Sequence, residues 1–450
     1  MGGGLLQLVA YGAQDIYLTG NPQITFFKSI YKRYTNFSME SIQQTLNGRS
    51  ASGVGGRVSA TIARNGDLLY KTFIVLPPMS ASGIIASEYG HQIIKSVEVE
   101  IGGQVIDRHY GDFMEAWAEL TEPNPTGSMG YLQNLVASSN NLANTAFNVS
   151  VSAGGGWSGG YTNTARNASF ILNQFTDFQR MACCGGVGAA ISDVGDTDST
   201  MIMQELYIPL RFWFCKEPGL ALPLIALQYH EVNIIIDFSS ALQHDFPELW
   251  CDYIYLDTDE RRRFAQVSHE YLIEQLQVNS FTPSTKTQNY KLTFNHPVKE
   301  LIWFCITNEW NTSKDNHVFA QLATAVDAGL QTFVLTLNGQ DRFYPRRTPY
   351  FTIQQPYLYH TSRGLDRNTL APVFYNPVVL HTDTIGVYSF ALKPEEHQPS
   401  GTCNFSRIDS AILTITDGVT QYPSPILKVY AINYNILRIM SGMGGLAYSN

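Results

Sequence analysis

Short runs of alternating apolar and polar residues, separated by turn residues, recur along most of this chain. Between His230 and Phe238, Val232, Ile234, Ile236 and Phe238 fall on one side of a two-residue period, which predicts a strand with one buried face. Tyr207 to Cys215 is apolar at nearly every position and reads as a strand covered on both faces. Phe113, Trp117 and Leu120 are spaced at i, i+4 and i+7, so Tyr110 to Leu120 is expected to be a short amphipathic helix lying on a sheet. Many short strands with turn signals between them argue for sandwiches or barrels.

The pattern also repeats. Arg33, Ser38, Glu40 and Leu46 match Arg263, Ser268, Glu270 and Leu276 at a constant offset, with Tyr34 facing Phe264 and Phe37 facing Val267. These two segments are expected to open two equivalent sandwiches in the same side-chain phase, because a one-residue slip would turn every apolar position outward. Val99 to Gln104 aligns in turn with Leu335 to Gln340, each a strand running into a turn, Gly102-Gly103 in one and Asn338-Gly339 in the other. Such pairs suit a type I′ hairpin, whose two central residues need positive φ. Val232-Asn233 aligns with Ile432-Asn433, each read as the closing strand of its half. Between the last two matches the first half carries extra residues, and the Gly, Asn and Ser-rich stretch from Thr121 to Thr200 supplies them as a long loop. The fold class expected is all-β, a double jelly roll: two eight-stranded antiparallel β-sandwiches in tandem, with short helices and long loops. The boundaries expected are an N-terminal arm at 1–25 and a first jelly roll at 26–238 with the insertion at about 121–200. A connection at 239–262, a second jelly roll at 263–440 and a tail at 441–450 complete the chain.

Composition narrows the function classes. The 450 residues exceed what one core usually serves. Only 15% are charged while 12% are aromatic, which suits a β-rich protein that buries surface against neighbours. A net charge of −9 disfavours direct contact with nucleic acid phosphates. Met1 to Ala10 has no secretory-signal pattern, and no apolar run is long enough for a transmembrane segment. The six cysteines show no CxxC spacing and are expected to be reduced, with Cys215 and Cys305 inside apolar strands.

Motifs for chemistry fail one by one. His230-Glu231 and His269-Glu270 begin an HExxH pattern, but Ile234 and Ile273 stand where the second His should be. Asp257 and Asp259 have calcium-loop spacing, yet Arg261 follows and no turn glycine does. No glycine precedes a lysine, so a phosphate-cradling P-loop is excluded. The sequence therefore offers no catalytic residue, no cofactor site and no metal ligands, and it reads as a non-enzyme.

Several long blocks resemble one family. LVAYGAQDIYLTGNPQITFFKSIYKRY (Leu8 to Tyr34) is similar to the N-terminal signature of nucleocytoplasmic large DNA virus major capsid proteins. So are GLALPLIALQYHEV (Gly219 to Val232), HEYLIEQLQ (His269 to Gln277), LNGQDRF (Leu337 to Phe343), YSFALKP (Tyr388 to Pro394), PSGTCNFSRID (Pro399 to Asp409) and NILRIMSGMGGLAY (Asn435 to Tyr448). The algal-virus branch is most alike. The stretch from Thr121 to Thr200 looks longer than in those relatives, and Ser239 to Trp250 and Asn308 to Ala325 look shorter.

The resemblance implies a homotrimer whose two sandwiches per chain make a pseudo-hexagonal capsomer of an icosahedral shell. Its implied partners are neighbouring capsomers, minor capsid and penton proteins, and a host surface touched by outer loops. The protein would be made and assembled in the host cytoplasm and end in the virion. Two other readings stay open on the sequence alone: a double-jelly-roll scaffold protein of an immature virion, and a carbohydrate-binding attachment protein, since jelly rolls also serve as lectins. Five sequons, Asn36, Asn148, Asn167, Asn311 and Asn404, are candidate glycosylation sites. A chain folded in the cytosol does not meet the secretory glycosylation machinery, so chance occurrence competes at each.

Overall fold

The computed structural model describes residues 14, 19–48, 50, 52–81, 89–122, 177–185, 201–203, 205–284, 287–306, 331–361, 385–416 and 426–448. The chain divides into two compact units, Met1–Phe37 and Ser38–Asn450. Both sandwiches lie in the second.

The first sandwich is built from β1 (Phe37–Gln44), β2 (Gly56–Thr61), β3 (Leu68–Leu76), β4 (Ile94–Ile101), β5 (Gln104–His109), β6 (Leu206–Pro209), β7 (Val232–Phe238) and β8 (Glu248–Leu256). The second uses β9 (His269–Phe281), β10 (Gln288–Leu292), β11 (Pro297–Ile306), β12 (Thr332–Leu337), β13 (Gln340–Asp341), β14 (Gly386–Ser389), β15 (Ala411–Thr416) and β16 (Ile426–Met440). One sheet of the first sandwich runs β1-β8-β3 with β6 on the far side of β3, and the other runs β2-β7-β4-β5. The second sandwich repeats both orders, as β9-β16-β11-β14 and β10-β15-β12-β13. Each of these strands in the first sandwich thus has a counterpart eight places later, while short strands such as Asn47–Gly48 and Met443–Leu446 have none. Even a two-part far edge recurs: Leu222–Pro223 joins β6 beside β3, and Cys403–Asn404 joins β14 beside β11. The arrangement is a double jelly roll.

Alternation places the cores. Ile74, Leu249 and Ile208 stand opposite one another in register on β3, β8 and β6, and all three are buried in the first core with Val97, Val99, Ile234 and Ile236. In the second core Trp303, Phe333, Phe351, Leu413 and Val429 pack together. Each such side chain contributes roughly 1.5–3 kcal/mol when fully buried. The paired hairpins form as the sequence implied. Gly102 and Gly103 take φ of 58° and 83°, and Asn338 and Gly339 take 50° and 78°.

Three expectations need correction. Tyr207 to Cys215 is not one strand: β6 stops at Pro209, which has no N–H for the ladder, and Trp213–Lys216 forms a short helix that contains Cys215. The run is apolar throughout because Phe212, Trp213 and Phe214 are buried, a pattern that strand and helix share. Next, Val232-Asn233 does not lie in a closing strand. β7 is the counterpart of β15, and the first sandwich closes on β8, inside the stretch expected to be a connection at 239–262. The β4–β5 and β12–β13 hairpins still precede unequal intervals, residues 110–231 before β7 and 342–410 before β15, and the stretch expected as the insertion, Thr121 to Thr200, lies mostly outside the described residues. Last, Tyr34 and Phe264 are not equivalent. Tyr34 is exposed, whereas Phe264 sits on a helix, Thr258–Gln266, against Leu68, Tyr70, Ala221 and Ile254. Downstream of those rings the opening strands do correspond. Phe37 and Val267 are 54% and 53% exposed, although Phe37 opens β1 and Val267 caps the helix before β9, and Glu40 and Glu270 each bond to the closing strand, to Tyr255 and Arg438.

Candidate functional site

Helices punctuate the strand order at α1 (Gly111–Thr121), α2 (Trp213–Lys216), α3 (Thr258–Gln266) and α4 (Gln355–Tyr359), the last continuing a π-helical turn over Tyr350–Gln354. The structure does not bring the sequence's metal-like motifs together. His230 Nδ1 faces Gly444 O at 2.9 Å and His269 Nε2 faces Phe264 O at 2.8 Å, both acting as local tethers. Asp257 caps α3 by accepting from Thr258 N. Among the sequons, Asn36 and Asn404 are exposed, and Asn404 Oδ1 accepts from Ser406 N at 3.0 Å. Asn148, Asn167 and Asn311 lie outside the described residues.

One buried group escaped the sequence reading. His91 Nδ1 lies 2.6 Å from Glu115 Oε2, and Cys184 Sγ lies 3.6 Å from His91 Nε2. Gly185 N donates to Glu115 Oε1 at 2.8 Å. Such a donor set resembles a metal site. In the structure these groups bond to one another, and burial pushes the Cys184 thiol well above its ordinary range. The group works as a chain of hydrogen bonds that fastens the turn at 183–185 to α1. Nothing in sequence spacing could have joined residues so far apart.

The most extensive organised feature is the junction between the two sandwiches. Residues 111 to 120 of α1 are all buried. Its face with Phe113, Ala116, Trp117 and Leu120 packs on Ile302, Phe304 and Ile306 of β11, Val387 of β14, and Tyr430 and Ile432 of β16. The outward face of the second sandwich is therefore covered by a helix of the first. The helix also carries acids into this contact. Asp112 pairs with Lys428 and accepts from the Tyr430 hydroxyl at 2.8 Å; burial and this carboxylate together drive the Tyr430 pKa far up. Below it, Lys216 of α2 pairs with Glu274 of β9, and Lys299 Nζ lies 2.9 Å from the same carboxylate. Burial alone would raise the Glu274 pKa, but the two ammonium groups hold it well below the usual carboxylate range. Backbone is shared too: Gln275 Nε2 donates to Ile106 O, and Leu276 N donates to Asp107 Oδ1 at 3.0 Å.

Beside α1, with its ring edge-on to Trp117, lies His360. Its Nε2 is 3.2 Å from Glu300 Oε2 and its Nδ1 is 3.2 Å from Glu395 Oε1. Burial alone would lower its pKa; the two carboxylates overcome that and raise it to about 9. The ring bridges the two carboxylates. The three groups have the form of a structural ion cluster, and the arrangement serves cohesion.

Comparisons with known proteins agree with this geometry. The family described as "Major capsid protein N-terminus" matches residues 25–257, and the family described as "Large eukaryotic DNA virus major capsid protein" matches residues 260–445. The chain is 45% identical to the major capsid protein of Pyramimonas orientalis virus, over 100% of both. It is 38% identical to that of Paramecium bursaria Chlorella virus 1, again over 100% of both. Among solved structures, the quasi-atomic model of the PBCV-1 virus capsid superposes with a TM-score of 0.68 at 32% identity, covering 95% of this chain and 100% of that one.

Proposed function

Because this chain belongs to the major capsid proteins of large eukaryotic DNA viruses, we propose that it builds the virion shell as a homotrimer, three chains supplying six sandwiches to a pseudo-hexagonal capsomer. The observation that carries the reading is full-length similarity to named major capsid proteins, joined to a strand-for-strand duplication of the fold. Two like halves in each chain let a three-fold ring imitate six-fold packing while the halves diverge in their loops. The role is structural and involves no catalysis.

The finer assignments belong to the same proposal. The N-terminal arm precedes a first jelly roll that ends with β8, α3 leads into the second, and a short tail follows β16. The stretch 177–185 is fastened to α1, and contact with the host surface falls to outer loops. Minor capsid and penton proteins join the trimers during assembly in the host cytoplasm. Any sugar sits on exposed sequons such as Asn36 or Asn404.

Native mass spectrometry of the purified chain tests the central claim. A trimer at micromolar concentration is expected, and monomer alone would overturn it.

A further inference from the structure

Among the described residues, the duplication leaves the helical segment Tyr350–Tyr359 with an exposed apolar side. In the first sandwich α1 follows β5 and is buried on the outward face of the second sandwich. In the second sandwich the helical segment Tyr350–Tyr359 follows β13 and occupies the equivalent place in the strand order. Its inner side, with Phe351, Thr352, Gln355 and Pro356, is buried. Its outer side carries Ile353, Tyr357 and Leu358, which are 48%, 61% and 55% exposed, together with the neutral Gln354. No charged residue occurs between Tyr350 and Tyr359. A surface helix with an uncharged, apolar outer face marks an interaction site. The chain has no third sandwich to cover it.

The matching receptor face is also present. On the second sandwich α1 rests on β11, the edge strand β14 and the closing strand β16. Their counterparts are β3, β6 and β8. Phe73 stands opposite Trp250 and Pro209 in register, and Val75 stands opposite Glu248 and Tyr207. The intervening Ile74, Leu249 and Ile208 point into the core, so Phe73, Tyr207 and Trp250 share the outward face. Phe73 and Trp250 are half-buried and Tyr207 is exposed. This is an aromatic patch edged with acid: Glu248 accepts from Trp250 Nε1, and the exposed Glu205 accepts from the Tyr207 hydroxyl.

Charge points the same way. Residues 1–257 hold 13 Lys and Arg against 23 Asp and Glu, while residues 258–450 hold 16 against 15. Exposed Arg346 and Arg347 stand at the start of the uncovered helix, and the Arg346 guanidinium stacks 5.0 Å from the Tyr350 ring.

We propose that the outer face of the Tyr350–Tyr359 helix docks on the Phe73–Tyr207–Trp250 face of a second copy of this chain, repeating between chains the contact that α1 makes within one. The contact is head-to-tail, with different surfaces on the two partners, and three such contacts close the ring. The inference rests on the trimeric reading and adds to it the surfaces that make the trimer.

The full-length chain tests this with a helix variant, Ile353→Glu with Leu358→Glu, and a sheet variant, Trp250→Glu, read by native mass spectrometry. All the altered side chains are partly or largely exposed, so the fold is expected to persist, as near-UV circular dichroism will report. Leu358→Lys and Tyr207→Lys serve as milder substitutes should either variant unfold. Each variant alone is expected to be a folded monomer. Their equimolar mixture is expected to give a dimer and stop there, because one intact pair of surfaces remains between the two chains. Variants that stay trimeric, or a mixture that yields only monomers, would overturn the proposal. A monomeric unaltered chain would instead sink the trimeric reading itself.

Discussion

His360 shows how one buried side chain ties stability to pH. Its folded pKa of about 9 lies above the ordinary 6.5, so the contribution is fully present below pH 6.5 and is lost as pH rises through 9. The unaltered chain should therefore lose on the order of 2–3 kcal/mol between those limits. In His360→Gln the loss should be smaller, and the gap between the two chains should narrow toward pH 9.5. Urea titrations at stepped pH would measure it; parallel slopes for both chains would refute it. None of this cluster was legible in the sequence, because Glu300, His360 and Glu395 meet through three separate segments. By contrast Asn338-Gly339 was legible, since positive φ at both positions is a demand on residue type alone. Gly339→Ala should cost roughly 1 kcal/mol through that backbone strain, with the Cβ itself meeting nothing within 4 Å.

Elements were legible where one period was unambiguous. β7 alternates as written, with Val232, Ile234, Ile236 and Phe238 buried. α1 lies where its i, i+4, i+7 spacing put it, but an amphipathic reading gave it one wet face and the structure gives it none. The reason is that Asp112, Glu115 and Glu119 find buried surroundings supplied by residues remote in sequence, such as Lys428 and His91. β8 was missed although Leu249, Cys251 and Tyr253 alternate, because its outward Glu248, Trp250 and Asp252 resemble a polar connection. Trp117→Ala should expose how much α1 matters. Loss of a large ring from the junction is expected to cost about 3–5 kcal/mol in chemical denaturation, and a change below about 1 kcal/mol would show that the helix merely rests there.

For the whole molecule, the duplication was legible in two of its three matches, and the family in the resemblance of its blocks taken together. What sequence could not convey is how the halves are joined. The helix and ion pairs of the junction make each sandwich part of the other's boundary. Calorimetry should accordingly record one unfolding transition for the chain, whereas two resolved peaks would mean independent sandwiches.

The burial of α1 between the sandwiches also bears on mechanics. A helix buried from Gly111 to Leu120, with a charged pair crossing from it, ties the two sandwiches together at the described residues. The two sandwiches should then move as one body under load. Any curvature or give in a shell assembled from it must come from the seams between separate chains, which places elastic compliance, and the first cracks under indentation, outside the subunit.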